Sequence, residues 1–323
     1  MEILVTGARG FVGRGLLETL SAAGHRGTAT GRAMPVGLPT GWRGLVRADV
    51  LSGSAVVDPP DGIVHLEVSQ VSPRRPGSAE GDFEQVNVAG TRDWLDWAAR
   101  RGVRRFVFAS SIKAAVPTTG IQTEEGQVES GPTYGGSKAR AEEEIRAWAA
   151  ADHERSAVIL RAAPVYGPGA ESNLASFVRL IRAGRPCLVG AGATRKSIVS
   201  RRNLTAAMLF ALFLPAGGCS RFNVSDPRTL SLKELAELIA VLAHAPAPRR
   251  IPRIVARAAA PVGDVLSWVT GRDMPMTSAR LRAIDEWADF PADRLIAAGF
   301  THPQTTREGV AEMLEWMQRQ GPR

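Results

Sequence analysis

Glu2-Ile3-Leu4-Val5-Thr6-Gly7-Ala8-Arg9-Gly10-Phe11-Val12-Gly13 is the stretch that decides the fold of this chain. Residues 2–6 read as a short buried strand, and an apolar helical pattern runs from Phe11 to Ala23. Between them lies a G-x-x-G-x-x-G turn. Its glycines permit a tight turn, a close approach of backbone to a pyrophosphate and close packing of helix on strand. The helix that opens there offers unpaired N–H groups and the positive end of its dipole to phosphates. Gly7, Arg9, Gly10, Phe11, Val12 and Gly13 are therefore the expected dinucleotide cradle.

Working outward, a weak run at 27–31 and runs at 45–49, 62–66, 105–109 and 157–161 read as further strands. Segments 83–101 and 134–150 read as helices. Strands alternating with helices predict an α/β fold, a doubly wound parallel sheet covered by helices on both faces. After Pro164 the texture changes. A helix at 172–183, a tight loop at Gly190–Gly192, a helix at 203–213 and a strand near Phe222-Asn223-Val224 come before a mostly helical tail. The expected division is a dinucleotide-binding domain at 1–164, with 198–224 returning to it. A smaller, mainly helical substrate lobe is formed by 165–197 and 225–323. The apolar stretch Ile251 to Val269 is expected to be the core of that lobe.

The composition sets limits. A chain of 323 residues with 44% apolar and 22% charged residues has the make-up of a globular protein. The net charge of +8 comes from arginines scattered along the chain, with no basic stripe interleaved with aromatic residues. Nucleic acid is therefore not expected as a partner, and an anionic small molecule is. Cys187 and Cys219 have neither metal spacing nor a disulfide framework, so no metal is expected and a reducing cytoplasm is. The first strand begins at once and no apolar run reaches about 18 residues, so no membrane partner is expected either.

Tyr134-Gly135-Gly136-Ser137-Lys138 sets a phenol and an ammonium four residues apart, on one face of a helix. A nearby ammonium lowers a phenol's pKa, which fits Tyr134 for proton exchange with a hydroxyl or carbonyl near neutrality. The chain has only two tyrosines and four lysines, so chance seldom produces the pair. Ser110 and Ser111 end the strand at 105–109, and ligands of open α/β sheets bind beyond such ends. Ser111 is the expected clamp on the reacting oxygen, and Asn87, a helix asparagine expected to be buried, needs a partner. The end of the second strand holds Gly31 and then Arg32, where a carboxylate would favour a free ribose. Arg32 with Arg9 favours a 2′-phosphate, hence NADP over NAD.

In this order the glycine turn, Asp49-Val50, Asn87, the double serine, the Tyr-Lys pair and Val165-Tyr166-Gly167-Pro168-Gly169 resemble the extended short-chain dehydrogenase/reductases, Rossmann-fold enzymes dependent on NAD(P). The resemblance spans nearly the whole chain and is strong to about residue 205. Ser110-Ser111-Ile112-Lys113 and the segment from Arg161 to Val199 are most similar to bacterial nucleotide-sugar 4-epimerases and 4-ketoreductases. The resemblance implies that Asp49 and Val50 touch adenine, that Leu66 lies beside the cofactor with Ser110, and that Lys138 binds the nicotinamide ribose. It also implies that backbone near Ala163 and Val165 meets the nicotinamide. Ile112, Asn173, Leu174 and Arg195 are the implied substrate-binding positions, the last three at a nucleotide diphosphate. A homodimer through the 83–101 and 134–150 helices is a further family expectation.

Three departures stand out. Family dehydratases carry an Asp-Glu pair where this chain has Ile112-Lys113, so elimination has no agent. Glu67 replaces a small residue beside the cofactor, where its carboxylate would oppose a pyrophosphate unless it binds a ribose hydroxyl or turns away. Ala115 replaces a tyrosine. The leading expectation is epimerisation or ketoreduction of a nucleotide-linked sugar. A reductase of an apolar, sterol-like or flavonoid-like ketone is the alternative, and a non-catalytic NADP-binding sensor comes third.

Overall fold

A computed structural model describes residues 1–69, 83–215, 217–270, 274 and 277–320. Seven parallel strands form one sheet, β1 (Glu2–Thr6), β2 (Arg26–Gly31), β3 (Trp42–Val46), β4 (Gly62–His65), β5 (Arg105–Ser111), β6 (Ser156–Ala162) and β11 (Gly218–Val224). Their spatial order is β11-β6-β5-β4-β1-β2-β3. The order reverses between β1 and β4, which places a crevice at the carboxyl ends of those two strands. Central strands of such a sheet are covered on both faces, and Ile3, Leu4 and Val5 of β1 are fully buried. β2 has poor strand formers, and close approach explains them: a Cβ on Gly27 would stand 1.9 Å from the Ile3 carbonyl oxygen.

The third strand departs from its expected place. β3 ends at Val46, and Arg47–Ser52 forms a short helix, α2, closed by Gly53 in the left-handed conformation. Trp42, buried against the core, starts β3 three residues before the expected start. Asp49 therefore sits in a helical turn rather than at a strand end. The 83–101 helix divides into a π-helical turn, Phe83–Ala89, and α3 (Gly90–Arg100). One face of the sheet carries α1 (Phe11–Ala22) and α6 (Arg201–Ala211), whose Leu16, Leu20, Leu204 and Met208 share a core with β1 and β6. The other carries α3 and α4 (Tyr134–Ala150), with Trp94, Trp97, Ile145 and Trp148.

Beyond β6, β7 (Val165–Tyr166) pairs in parallel with β10 (Val199–Ser200). The lobe is built on α5 (Asn173–Arg182), α7 (Leu232–Leu242) and α11 (Thr306–Arg319) around Val178, Leu235, Ile239 and Met313. Two short antiparallel strands, β9 (Arg195–Lys196) and β12 (Leu230–Ser231), lie beside it. The tail does not belong wholly to this lobe. Phe290, Leu295 of α10 (Asp293–Ala297) and Phe300 join the core of the sheet, and Phe300 stands 5.7 Å from the Phe210 ring of α6.

Ile251 to Val269 corrects another expectation. β13 (Arg249–Ile251) pairs in parallel with β8 (Pro186–Val189), and α8 (Arg253–Thr270) then packs beside α9 (Ser278–Asp285). Among the described side chains, the only buried apolar ones that α8 gives this small core are Ala256 and Ala260, against Val189 and Leu281. Its large apolar side chains are exposed, so the stretch is not the core of the lobe.

Candidate active site

The glycine turn is a cradle that side chains would fill. Gly7 has φ +64°, and a Cβ there would lie 2.8 Å from the Leu66 carbonyl carbon; one on Gly13 would lie 2.5 Å from the Gly7 carbonyl oxygen. Gly10 caps α1 with no side-chain acceptor on the amides that follow, whereas Thr133, Ser172, Ser200, Ser231 and Thr305 cap α4, α5, α6, α7 and α11. Phe11 and Val12, half-buried, open that first turn. This shape and polarity fit the pyrophosphate of a dinucleotide. Arg9 is exposed, and its aliphatic stem lies 3.6 Å from the place a Gly31 Cβ would take. With exposed Arg32 it lies at the end of β2.

Behind the cradle, His65 is fully buried. Its ring nitrogens meet Thr6 Oγ1 at 2.7 Å and Thr91 Oγ1 at 3.1 Å, and Thr6 Oγ1 accepts from the Leu66 amide at 3.1 Å. Burial first, then Lys138 and Arg47, hold its pKa well below the usual histidine value. A neutral ring thus pins β1, β4 and α3 together.

Glu67 turns aside. Trp94 Nε1 donates to its Oε2 at 2.9 Å, and Arg47 Nε stands 3.2 Å from the same oxygen, while Arg47 Nη2 pairs with Asp93 at 2.8 Å. Burial raises the Glu67 pKa against the hydrogen bond from Trp94 and the charges of Arg47 and Arg32. The repulsion expected from this carboxylate is met by Arg47, a partner that sequence reading did not pick out.

The Tyr-Lys pair is set by two glycines. A Cβ on Gly135 would stand 2.1 Å from the Lys113 carbonyl oxygen, and one on Gly136 would stand 1.9 Å from that of Gly131. Only glycine lets the first turn of α4 press against the segment after β5. Tyr134 is half-buried, with its ring edge-on to Phe83 at 6.0 Å. Ser111 Oγ accepts from the Lys113 amide at 3.2 Å, so its own proton can be given elsewhere. Lys138 is 2% exposed; its Nζ donates to the Ala109 carbonyl at 2.9 Å and lies 4.4 Å from the Phe108 ring centroid. Burial brings its pKa from 10.5 down to about 7, with Glu142 working the other way.

Several expected ligands face inward. Ser110 Oγ donates to Glu142 Oε1 at 2.6 Å, away from the strand-end crevice. Arg161 clasps the same carboxylate at 2.9 and 2.8 Å, and Arg221 stands 3.5 Å away. Asn87 Oδ1 accepts from the Ser69 amide, and its Nδ2 donates to Ser137 Oγ at 2.9 Å; Ser137 Oγ in turn donates to the Tyr134 carbonyl. These groups position the site from behind. A lone arginine within the apolar run 157–162, and a glutamate one turn after Lys138, were the signals for the Arg161–Glu142 network.

Val50 is buried in the core and Asp49 is exposed on α2. Ala163 is buried, its amide donating to the Val224 carbonyl at 2.9 Å, and Val165 pairs with Val199. The side chains of Ile112 and Leu174 are core, so only their backbone is available to a ligand. Asn173 is exposed at the start of α5. Arg195 is held by Asp289 at 2.8 Å and by the Thr229 carbonyl at 2.6 Å.

Residues 3–225 match the model of the NAD dependent epimerase/dehydratase family. A UDP-glucose 4-epimerase of Vibrio cholerae is 30% identical over 76% of this chain and 76% of its own. An N-acetyl-alpha-D-glucosaminyl-diphospho-ditrans,octacis-undecaprenol 4-epimerase of Escherichia coli O157:H7 is 28% identical over 98% of this chain and 95% of its own. The solved structure of MoeE5 with UDP-glucose and NAD superposes with a TM-score of 0.73 at 23% identity, over 99% of each chain. The chain belongs to the NAD dependent epimerase/dehydratase family, nicotinamide-dependent enzymes on a Rossmann-like α/β fold.

Proposed function

We propose that this protein interconverts a secondary alcohol and a ketone at C4 of a diphosphate-linked sugar, as a 4-epimerase or 4-ketoreductase. The observation that supports the reading is the close approach of Gly135 to the Lys113 carbonyl, which presses the first turn of α4, bearing Tyr134 and Lys138, against the segment that follows Ser111. A nicotinamide dinucleotide held by the glycine cradle would supply and take back the hydride. Tyr134 removes the proton from the hydroxyl as the ketone forms and returns it as the alcohol re-forms. Lys138, when charged, favours the phenolate. Ser111 donates a hydrogen bond to the reacting oxygen. Ile112 is buried and Lys113 is exposed where an eliminating acid–base pair would stand, which argues against dehydration. Arg9 and Arg32 at the end of β2 favour NADP. The lobe around α5 and β9 is read as the substrate side, and a homodimer through α3 and α4 as the assembly.

Two sugar carriers share the diphosphate chemistry, a nucleoside and a polyprenol, and relatives act on each. The test supplies purified protein and NAD or NADP with UDP-glucose, UDP-N-acetylglucosamine or polyprenyl-diphospho-N-acetylglucosamine, in parallel supplies NADPH with a 4-ketosugar or a sterol-like ketone, and follows the substrate by proton NMR. The expected product is the C4 epimer without net change in NADH absorbance, or, with a 4-ketosugar, the alcohol with NADPH consumed. If all sugars return unchanged while an apolar ketone is reduced, the sugar reading fails.

A further inference from the structure

α8 is packed inside out. Residues advance by about 100° around a helix, so two arcs can be read along it. The arc against the protein carries the small residues Ala256, Ala260 and Gly263, all buried. The opposite arc carries the large ones, Ile254 (82% exposed), Val262 (58%), Val265 (60%), Leu266 (45%) and Trp268 (85%). A helix resting on a water-soluble protein sorts its residues the other way. A contiguous apolar arc of this size marks a contact surface rather than scattered exposure.

The charges beside the arc say what it contacts. Arg249 and Arg250 just before the helix, and Arg257 at the edge of the arc, are exposed and make no ion pair among the described residues. Two acids of α8 and α9 are committed elsewhere: Asp285 pairs with Arg253 at 2.7 Å, and Asp264 accepts from the Ser278 amide at 3.0 Å. A two-fold contact between copies of this face would set a patch of one charge sign against itself. Anionic headgroups over an acyl boundary complement both its charge and its apolar arc, and an exposed tryptophan suits that boundary. Among the described residues no helix is long and apolar enough to cross a membrane, and the inner arc of α8 is held by the protein.

We infer that α8 docks the protein on an anionic lipid bilayer, lying flat in the interface with Val262, Val265, Leu266 and Trp268 immersed and Arg249, Arg250 and Arg257 on lipid phosphates. This departs from the sequence expectation, which gave the protein no membrane partner. It stands whichever sugar carrier the crevice takes.

The test is co-sedimentation of the full chain with vesicles of equimolar phosphatidylglycerol and phosphatidylcholine, against phosphatidylcholine alone. The protein is expected to pellet with the anionic vesicles. A Val265→Ser/Trp268→Ser variant should bind them at least about tenfold more weakly. A triple variant, Arg249→Gln, Arg250→Gln and Arg257→Gln, should lose about fivefold per arginine on anionic vesicles and change little on neutral ones. Because the replaced side chains are exposed, each variant should melt within about 2 °C of the parent. Failure of the parent to pellet overturns the inference, as does undiminished binding by the serine variant. If the parent ignores vesicles and the serine variant splits a dimer in sedimentation velocity, the face belongs to a second copy and the inference is wrong.

Discussion

α4 and α8, with 17 and 18 residues, are the two longest helices among those described, and each reverses the usual sorting of polarity. α4 buries an ammonium and a carboxylate, Lys138 and Glu142, at 2% and 1% exposure. α8 leaves isoleucine, valine and tryptophan in water while it buries alanine and glycine. A helix selected for stability alone would do neither, because buried charge and exposed apolar area both work against folding. Only the first reversal is compensated within the chain. Glu142 is satisfied by Ser110, Arg161 and Arg221, whereas the compensation for α8 lies outside the chain. The comparison teaches that a misplaced polar group with a full set of partners points inward to chemistry, and a misplaced apolar face points outward to a contact.

The largest effect belongs to α4. Tyr134→Phe removes one oxygen from a half-buried ring and leaves its edge contact with Phe83 in place. Turnover should fall about 10²- to 10⁴-fold, with dinucleotide binding by fluorescence and the melting temperature both unchanged. A variant that kept turnover within about tenfold would make the buried charge of α4 structural only, and the contrast with α8 would lose its meaning.

Glu142→Gln comes next and attacks the compensation itself. Arg161, with 0% exposed side chain, would keep its charge with no counter-ion among the described residues, and Arg221 would keep only Glu125, 4.0 Å away. Breaking a buried pair from one side costs about 3–5 kcal/mol, read as a lowered urea midpoint. The counterpart on α8, Val265→Ser, should cost less than about 0.5 kcal/mol, because Val265 is already in water. Glu142 also raises the Lys138 pKa, so its loss should move the alkaline limb of the pH–rate profile, where Lys138 loses its charge, to lower pH. An unmoved profile would separate the network from the lysine.

Much of α4's side of the contrast was legible in the sequence. Central strands of a parallel sheet are buried on both faces and read as continuous apolar runs, which is why β1, β4, β5 and β6 stand close to where they were expected. The glycine cradle and the Tyr-Lys spacing are local patterns and carry their geometry with them. What failed was non-local. Glu67 was conspicuous, but Arg47 and Trp94, which hold it, lie 20 and 27 residues away and are joined to it only by the sheet. The start of β3 was hidden because Trp42-Arg43-Gly44 breaks the apolar run and is settled by pairing with β2. α8 failed for a subtler reason. Both its arcs are apolar, so periodicity could show a helix but could not say whether the small or the large residues met the protein.

A smaller stability effect than that of Glu142→Gln is expected from Lys138→Met, and its sign is the sharper test of what α4 contains. The folded protein holds the ammonium at about 7, against the ordinary value of 10.5 in the unfolded chain. Between those values the unfolded chain binds more protons, so the lysine's contribution to stability rises with pH from about 7 to above 10; below 7 its full penalty applies. Methionine keeps the volume of the stem and carries no proton to lose. Lys138→Met should therefore be more stable than the parent by about 1–3 kcal/mol at pH 6, and the gain should fade by pH 10. Urea denaturation at the two pH values measures both, while turnover falls at each. Should the variant be less stable at pH 6, then the Ala109 carbonyl, the Phe108 ring and Glu142 together outweigh the burial. Lys138 would then be a well-satisfied structural cation, and α8 would be the only long helix whose sequence works against its own fold.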